Sequence, residues 1–179
     1  MKKVFVVGGD SLIERMFNEE GWDVVDTPEE ADLLQFTGGE DVNPALYGDD
    51  VHKTTYYNSR RDVKEAQIFN EYIDKYKAGI CRGGQFLNVM SGGMMWQDVD
   101  GHLGGHIATD LVNNLDMVVT STHHQMMLPR GNFQLFMVAE KSKRKATGKE
   151  EIYAPFFSKD VESVYYPETK SLCFQPHPE

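Results

Sequence analysis

The chain has 179 residues, of which 40% are hydrophobic and 26% charged, and carries a formal net charge of −10. That balance fits one soluble globular domain, 1–179, with a sizeable core, and the acidic excess argues against a nucleic-acid partner, whose phosphates need clustered Lys and Arg. Two cysteines make no disulfide framework, and the apolar run in the opening MKKVFVVGGD is too short for a signal peptide or membrane span, so we expect a cytoplasmic protein with no membrane partner.

Residues 2–7 read as a buried strand stopped by Gly8-Gly9. Asp10 or Ser11 then caps a helix to about residue 20, with Leu12, Ile13, Met16 and Phe17 on one face. Strands are expected over 22–25 and 31–36, the latter ending in Thr37-Gly38-Gly39. A loop broken by Asn43-Pro44 and Tyr47-Gly48 leads to a helix over 61–76, with Val63, Ala66, Ile68, Phe69, Tyr72 and Ile73 as its apolar face. The second half is β-rich, with strands near 107–112, 116–121, 133–139, 161–166 and 171–175. Strands alternating with helices in the first half predict a parallel α/β sheet. The basic cluster 141–145 reads as a solvated loop.

Between two of these elements lies Gly79-Ile80-Cys81-Arg82-Gly83, followed by a helical stretch to Ser91 with Phe86, Leu87 and Met90 inward. A G-x-nucleophile-x-G turn swings a side chain out at the carboxyl end of a strand, and the helix N-terminus behind it favours a thiolate and can hold an oxyanion. Alone, this motif reads equally well as a small buried Cys in a glycine-rich turn. A thiolate needs a base, and the last residues, CFQPHPE, supply His177 with Glu179 two residues on. Prolines 176 and 178 favour extended backbone, so both side chains project to one side and the carboxylate can orient the imidazole. A frayed tail is the bland reading of that segment; elbow and tail together favour the chemical one.

Five stretches in order resemble the class I glutamine amidotransferase superfamily, most closely its γ-glutamyl hydrolase-like branch. They are FTGGEDVNPALYG (36–48), RRDVKEAQI (60–68), GICRGGQFLNVMSGG (79–93), STHHQ (121–125) and FQPHPE (174–179). The resemblance implies a doubly wound, flavodoxin-like, mostly parallel α/β sheet with helices on both faces. It further implies Cys81 as nucleophile, His177 as general base and acid, and Glu179 as the orienting carboxylate. Backbone N–H groups of Arg82 and Gly39, with Gly38 the alternative, would form the oxyanion hole. Gln85 and the backbone of Ser121 to His123 would hold the glutamyl end of a small-molecule substrate. No cofactor is implied. One departure stands out: Pro176 occupies the place of the family's usual aromatic residue before the His.

The expected activity is hydrolysis of a γ-glutamyl amide, either free-standing or as a glutaminase subunit serving a separate synthetase or ligase. A binding module of the same fold, without catalysis, is the third reading. His102 and His106 at i,i+4, with His123-His124, invite a metal, but Leu103-Gly104-Gly105 makes a poor helix, so satisfied loop histidines and no metal are expected. Gly8-Gly9-Asp10 lacks any phosphate-loop pattern and reads as turn and cap. Cys173 reads as a packed thiol, Met126-Met127 as core or pocket lining, and Arg60, Arg61, Asp62 and Glu65 as surface pairing or substrate contacts.

Overall fold

The computed structural model describes residues 2–153 and 159–179. Its first half runs β1 (Lys3–Val7), α1 (Ser11–Glu19), β2 (Asp23–Val24), β3 (Leu33–Phe36), α2 (Ser59–Glu71), β4 (Tyr76–Ile80) and α3 (Arg82–Met90). Short strands follow: β5 (Met94–Trp96), β6 (Asp98–Val99), β7 (His106–Asp110), β8 (Leu115–Val119) and β9 (Met126–Leu128). Then come β10 (Gln134–Ala139), β11 (Arg144–Ala146), β12 (Glu151–Tyr153), β13 (Asp160–Tyr166) and β14 (Ser171–Phe174).

The main sheet has nine strands in the order β2-β1-β3-β4-β14-β13-β10-β7-β8. From β2 to β14 all pairings are parallel. Taken in chain order, these strands have the 2-1-3-4-5 sequence of a flavodoxin-like sheet. Beyond β14 the sheet continues antiparallel through β13, β10, β7 and β8.

Alternation along β1 sorts the helices onto the two faces. Val4 and Val6 pack with Ile13, Met16 and Phe17 of α1, whereas Val7 and Phe5 join Phe69 of α2 and Phe86 and Leu87 of α3. The doubly wound α/β arrangement expected from the sequence is therefore present. Asp10 caps α1, its carboxylate accepting from the N–H groups of Leu12 and Ile13. Gly8-Gly9 forms the preceding turn at positive φ.

Several local expectations fail for physical reasons. Leu12, Val63 and Ile73 are exposed; the buried residues of α2 are Asp62, Glu65 and Phe69, a face set by ion pairs rather than apolarity. α2 stops at Glu71 because Tyr76 is recruited into β4, which has partners on both sides. The basic cluster is not a solvated loop throughout. Arg144 to Ala146 form a strand, Lys145 is fully buried against Asp160 Oδ1 at 2.7 Å, and Arg144 binds Asp98 at 2.5 Å. Met126, Met127 and Cys173 are core, as expected, and burial pushes the Cys173 thiol well up. Among the described residues no helix is long and apolar enough to cross a membrane.

Candidate active site

Three adjacent parallel strands deliver the elbow and its neighbours. Cys81 follows β4, Thr37-Gly38-Gly39 follows β3 on one side, and residues 175–179 follow β14 on the other. Open α/β sheets bind ligands at these carboxyl ends. Cys81 adopts φ 51°, ψ −115°, a strained conformation for a residue with a side chain. Packing enforces it. A Cβ added at Gly79 would strike the backbone of Gly83, one at Gly83 the Phe36 carbonyl, and one at Gly84 the Phe174 backbone. With no side chains there, the first turn of α3 presses onto all three strands, and the Cys81 N–H donates to Phe174 O at 2.7 Å. The helix starts at Arg82, so its first N–H groups, which have no acceptor within the helix, open beside the thiol.

His177 Nδ1 lies 2.7 Å from Glu179 Oε1, and the Thr120 hydroxyl donates to the His177 carbonyl at 2.5 Å. A Cβ placed on Gly38 would sit 3.4 Å from His177 Cε1 and 3.9 Å from Cys81 Cβ, so the elbow, His177 and the glycine loop converge. At Gly39, φ 134°, an added Cβ would instead strike the Arg61 guanidinium. His177 Nε2 is buried and forms no hydrogen bond, yet the neighbouring Cys81 is the largest influence on the ring. Together with Glu179 it outweighs burial and raises the His177 pKa to about 9. Cys81 and His177 thus lie side by side without a formed hydrogen bond between them. Cys81 is buried, with 8% of its surface exposed. Pro176 is buried, and the tail is pinned rather than frayed.

Behind the elbow, Arg82 pairs with Glu65 through Nη1 and with Asp62 through Nη2. Arg61 continues the network, its Nε on Glu65 at 2.7 Å, Nη1 on Glu40 at 3.1 Å and Nη2 on the Thr37 carbonyl and hydroxyl, each at 3.0 Å. Burial pushes the Asp62 carboxyl up against the pull of Arg82. The Arg-Asp-x-x-Glu stretch thus ties the glycine loop to the residue after Cys81, and of the two roles open to Asp62 and Glu65, surface pairing or substrate contact, the first is replaced by buried pairs with Arg82.

The other expected substrate residues lie in a buried layer nearby. Gln85 Nε2 donates to the Gln125 carbonyl at 3.2 Å, and the Ser121 hydroxyl donates to the His102 carbonyl at 2.6 Å. The His123 ring bonds the same Gln125 carbonyl through Nδ1 at 2.8 Å. The side chains of Ser121 and His123 are therefore committed inward, and the Ser121 carbonyl accepts from the Gly104 N–H. His102 and His106 are not loop histidines satisfied one at a time, because with His123 they surround Glu162. The separations are 3.2 Å from His102 Nδ1, 2.9 Å from His106 Nε2 and 3.8 Å from His123 Nε2. Burial pulls His102 and His123 down; at His102 the carboxylates of Asp160 and Glu162 prevail and raise it to about 9, while at His123 burial prevails.

Glu162, Asp160 and Thr120 are not foreseen from the sequence. The available signal is two carboxylates at alternate positions of the otherwise strand-like DVESVYY, inward-facing by periodicity.

On a flavodoxin-like sheet, this elbow with its His–carboxylate neighbour places the chain in the class I glutamine amidotransferase-like group. The chain belongs to the Peptidase C26 family, whose model matches residues 8–143. Protein NtpR of Enterococcus hirae is 38% identical over 74 residues, 40% of this chain and 31% of NtpR. The chain thus covers well under two thirds of the curated relatives it matches. Two solved structures share the fold at low identity. One, a Thermoplasma acidophilum protein assigned to GMP synthase as one of its subunits, has a TM-score of 0.69 and 18% identity, covering 99% of this chain and 84% of that one. The other, a Thermotoga maritima glutamine amidotransferase, has a TM-score of 0.66 and 14% identity, covering 98% and 75%.

Proposed function

We propose that the protein hydrolyses a γ-glutamyl amide, glutamine or a γ-glutamyl compound, through a thioester on Cys81, and does so in the cytoplasm. The observation that carries this reading is the convergence of Cys81, Gly38 and His177 at the ends of three neighbouring strands, with Glu179 on the far side of the imidazole. In this reading His177 takes the thiol proton, and the Cys81 sulfur attacks the γ-carbonyl carbon. The resulting oxyanion lies against the N–H groups of Arg82 and Gly39, with Gly38 the alternative in that loop. As the tetrahedral species collapses, the imidazolium gives its proton to the departing amine or ammonia, leaving a γ-glutamyl thioester. Water, deprotonated by His177, then releases glutamate and restores the thiol. Glu179 holds the tautomer throughout. Gln85 and the backbone of Ser121 to His123 hold the α-amino and α-carboxylate groups.

A second reading, a glutaminase delivering ammonia to a synthetase or ligase, is favoured by the fold shared with a protein assigned to GMP synthase. Glutamate release from glutamine and a panel of γ-glutamyl amides, without partner, separates the readings. Turnover by wild type, reduced at least about a thousandfold in Cys81→Ala and His177→Ala, supports the free-standing hydrolase. Turnover that appears only with a partner supports the second reading. A folded protein whose Cys81 is not labelled by a γ-glutamyl electrophile would leave the inactive binding module.

A further inference from the structure

We propose that His102, His106, His123 and Glu162 form a buried site for a divalent transition-metal ion of the zinc class. The four residues are 0%, 6%, 3% and 0% exposed. The ligand atoms of His102, His106 and Glu162 all lie within 4.8 Å of one another. The i,i+4 spacing of His102 and His106 would need a helix to put both rings on one face, and no helix forms. A different scaffold brings the rings together. His106 opens β7, Leu103 bridges Thr122, and the Gly104 N–H donates to the Ser121 carbonyl at 2.8 Å, so His102 and His123 are laid side by side.

The positions of the hydrogens make the case. The Gln125 carbonyl only accepts, so His123 Nδ1 carries a hydrogen, and in the neutral ring Nε2 is a bare lone pair. That lone pair faces Glu162 Oε2, and both atoms are buried without a hydrogen-bond partner. Asp160 Oδ2 accepts from the N–H groups of Lys141 at 2.9 Å and Ser142 at 2.7 Å, and its Oδ1 meets Lys145. Asp160 is therefore an acceptor, His102 Nε2 carries the hydrogen between them, and neutral His102 presents a lone pair at Nδ1. That atom is 3.2 Å from Glu162 Oε1 but not aligned for a hydrogen bond.

His106 Nε2 is hydrogen-bonded to Glu162 Oε1 at 2.9 Å, but the lone pairs of His102 and His123 meet the same carboxylate with no hydrogen between, a burial that is costly without a cation. One proton on His102 relieves only the Oε1 side. A second, on His123, would bury two imidazolium rings with centroids 4.7 Å apart. A single divalent ion would satisfy both lone pairs and Glu162 at once, with His106 binding through Nε2 and its hydrogen moving to the buried Nδ1, which has no hydrogen-bond partner among the described residues. Three His and one Glu match zinc's preference for nitrogen and oxygen donors in a tetrahedron, whose ligand atoms stand about 3.4 Å apart for bonds of about 2.0–2.1 Å. The separations of His106 Nε2 and His102 Nδ1 from Glu162 Oε1, 2.9 and 3.2 Å, are close to that value, whereas His123 Nε2, 3.8 Å from Oε2, lies outside this compact group of three and would move inward to become the fourth ligand. The outer shell is also present. Asp160 orients His102 as in carboxylate–histidine–zinc triads, and the Gln125 carbonyl orients His123. Because the site is enclosed, the ion would enter as the chain folds.

The test uses tag-free full chain and needs no enzymatic readout, so its outcome is independent of the hydrolase reading. Protein purified without chelator is expected to carry close to one zinc per chain by elemental analysis. After unfolding, chelation and refolding with Co2+, it should show the intense visible bands of a tetrahedral site. Refolding with Zn2+ should raise the melting temperature above that of the chelated sample. Glu162→Gln should lose the zinc and the cobalt bands; should that variant not fold, the cobalt spectrum of wild type decides alone. Folded wild type that takes up neither Zn2+ nor Co2+, with an unchanged melting temperature, overturns the proposal and leaves a protonated histidine–carboxylate cluster in its place.

Discussion

Two buried charge clusters flank the elbow. Toward α2, both terminal nitrogens of Arg82 meet carboxylates, and Arg61 extends the pairing to Glu40 and the Thr37 carbonyl. Toward β13, imidazoles surround one carboxylate, and lone pairs face its oxygens. Guanidinium carries a fixed charge, so the first cluster supplies its own compensating cation, even though Asp62 Oδ2 and Arg82 Nε are buried without a hydrogen-bond partner. Imidazoles are charged only conditionally, so the second needs a cation to be complete. Arg82, Asp62 and Glu65 are buried as deeply as the histidine cluster, while Arg61 and Glu40 reach toward solvent; what differs is whether the sequence itself supplies the compensating charge.

The largest effect should come from breaking the first cluster. Arg82→Ala strands Asp62 and Glu65 in the interior and should lower stability by roughly 3–5 kcal/mol, read from urea denaturation. A loss below about 1 kcal/mol would mean that water reaches those carboxylates.

Breaking the other cluster should matter conditionally. For wild type, free Zn2+ present during refolding at a hundred times its dissociation constant should add about 2.7 kcal/mol, and Glu162→Gln should abolish that increment. Equal stability of wild type with and without zinc would remove the contrast between the clusters.

Smaller still, Glu179→Gln should lower activity by roughly tenfold or more and move the alkaline limb of the pH–rate profile down from about 9, because Glu179 helps hold the proton on His177. The sign for stability is the same. His177 titrates higher in the folded than in the unfolded chain, so its contribution is full below about 6.5 and is lost as the pH rises through about 9. An unmoved limb would assign it to another group. Thr120→Val, which removes only the hydroxyl's bond to the His177 carbonyl, should cost about 1 kcal/mol or less in melting experiments and slow turnover by no more than about tenfold.

The parallel half of the fold is legible in the sequence because its information is local. Gly8-Gly9-Asp10, the apolar runs ending at Val7 and Phe36, and Gly79 to Gly84 each dictate a turn, cap or elbow without help from distant residues. Cys81, His177 and Glu179 are legible as candidates for the same reason. The α2 face is not, because Asp62 and Glu65 become inward residues only through Arg82, which lies beyond the next strand. The histidine cluster is out of reach for a like reason. Its members come from before β7, from β7, from the 121–125 stretch and from β13, and helical spacing, the only periodicity available, is the wrong ruler. Pro176 departs from the family pattern, and the structure holds the neighbouring His177 through Thr120, a contact that no spacing rule anticipates.

One oxygen links the two chemistries. The Gln125 carbonyl has two lone pairs, one taken by Gln85, four residues after Cys81, and the other by His123 of the histidine cluster. Neither donor can reorient without altering how the other is held, so a perturbation of His123 should be felt at Gln85, and a ligand gripping Gln85 should be felt at His123 with equal free energy. The side-chain amide signal of Gln85 in an NMR spectrum is thus a reporter, placed by the fold itself, on the state of a cluster it never touches.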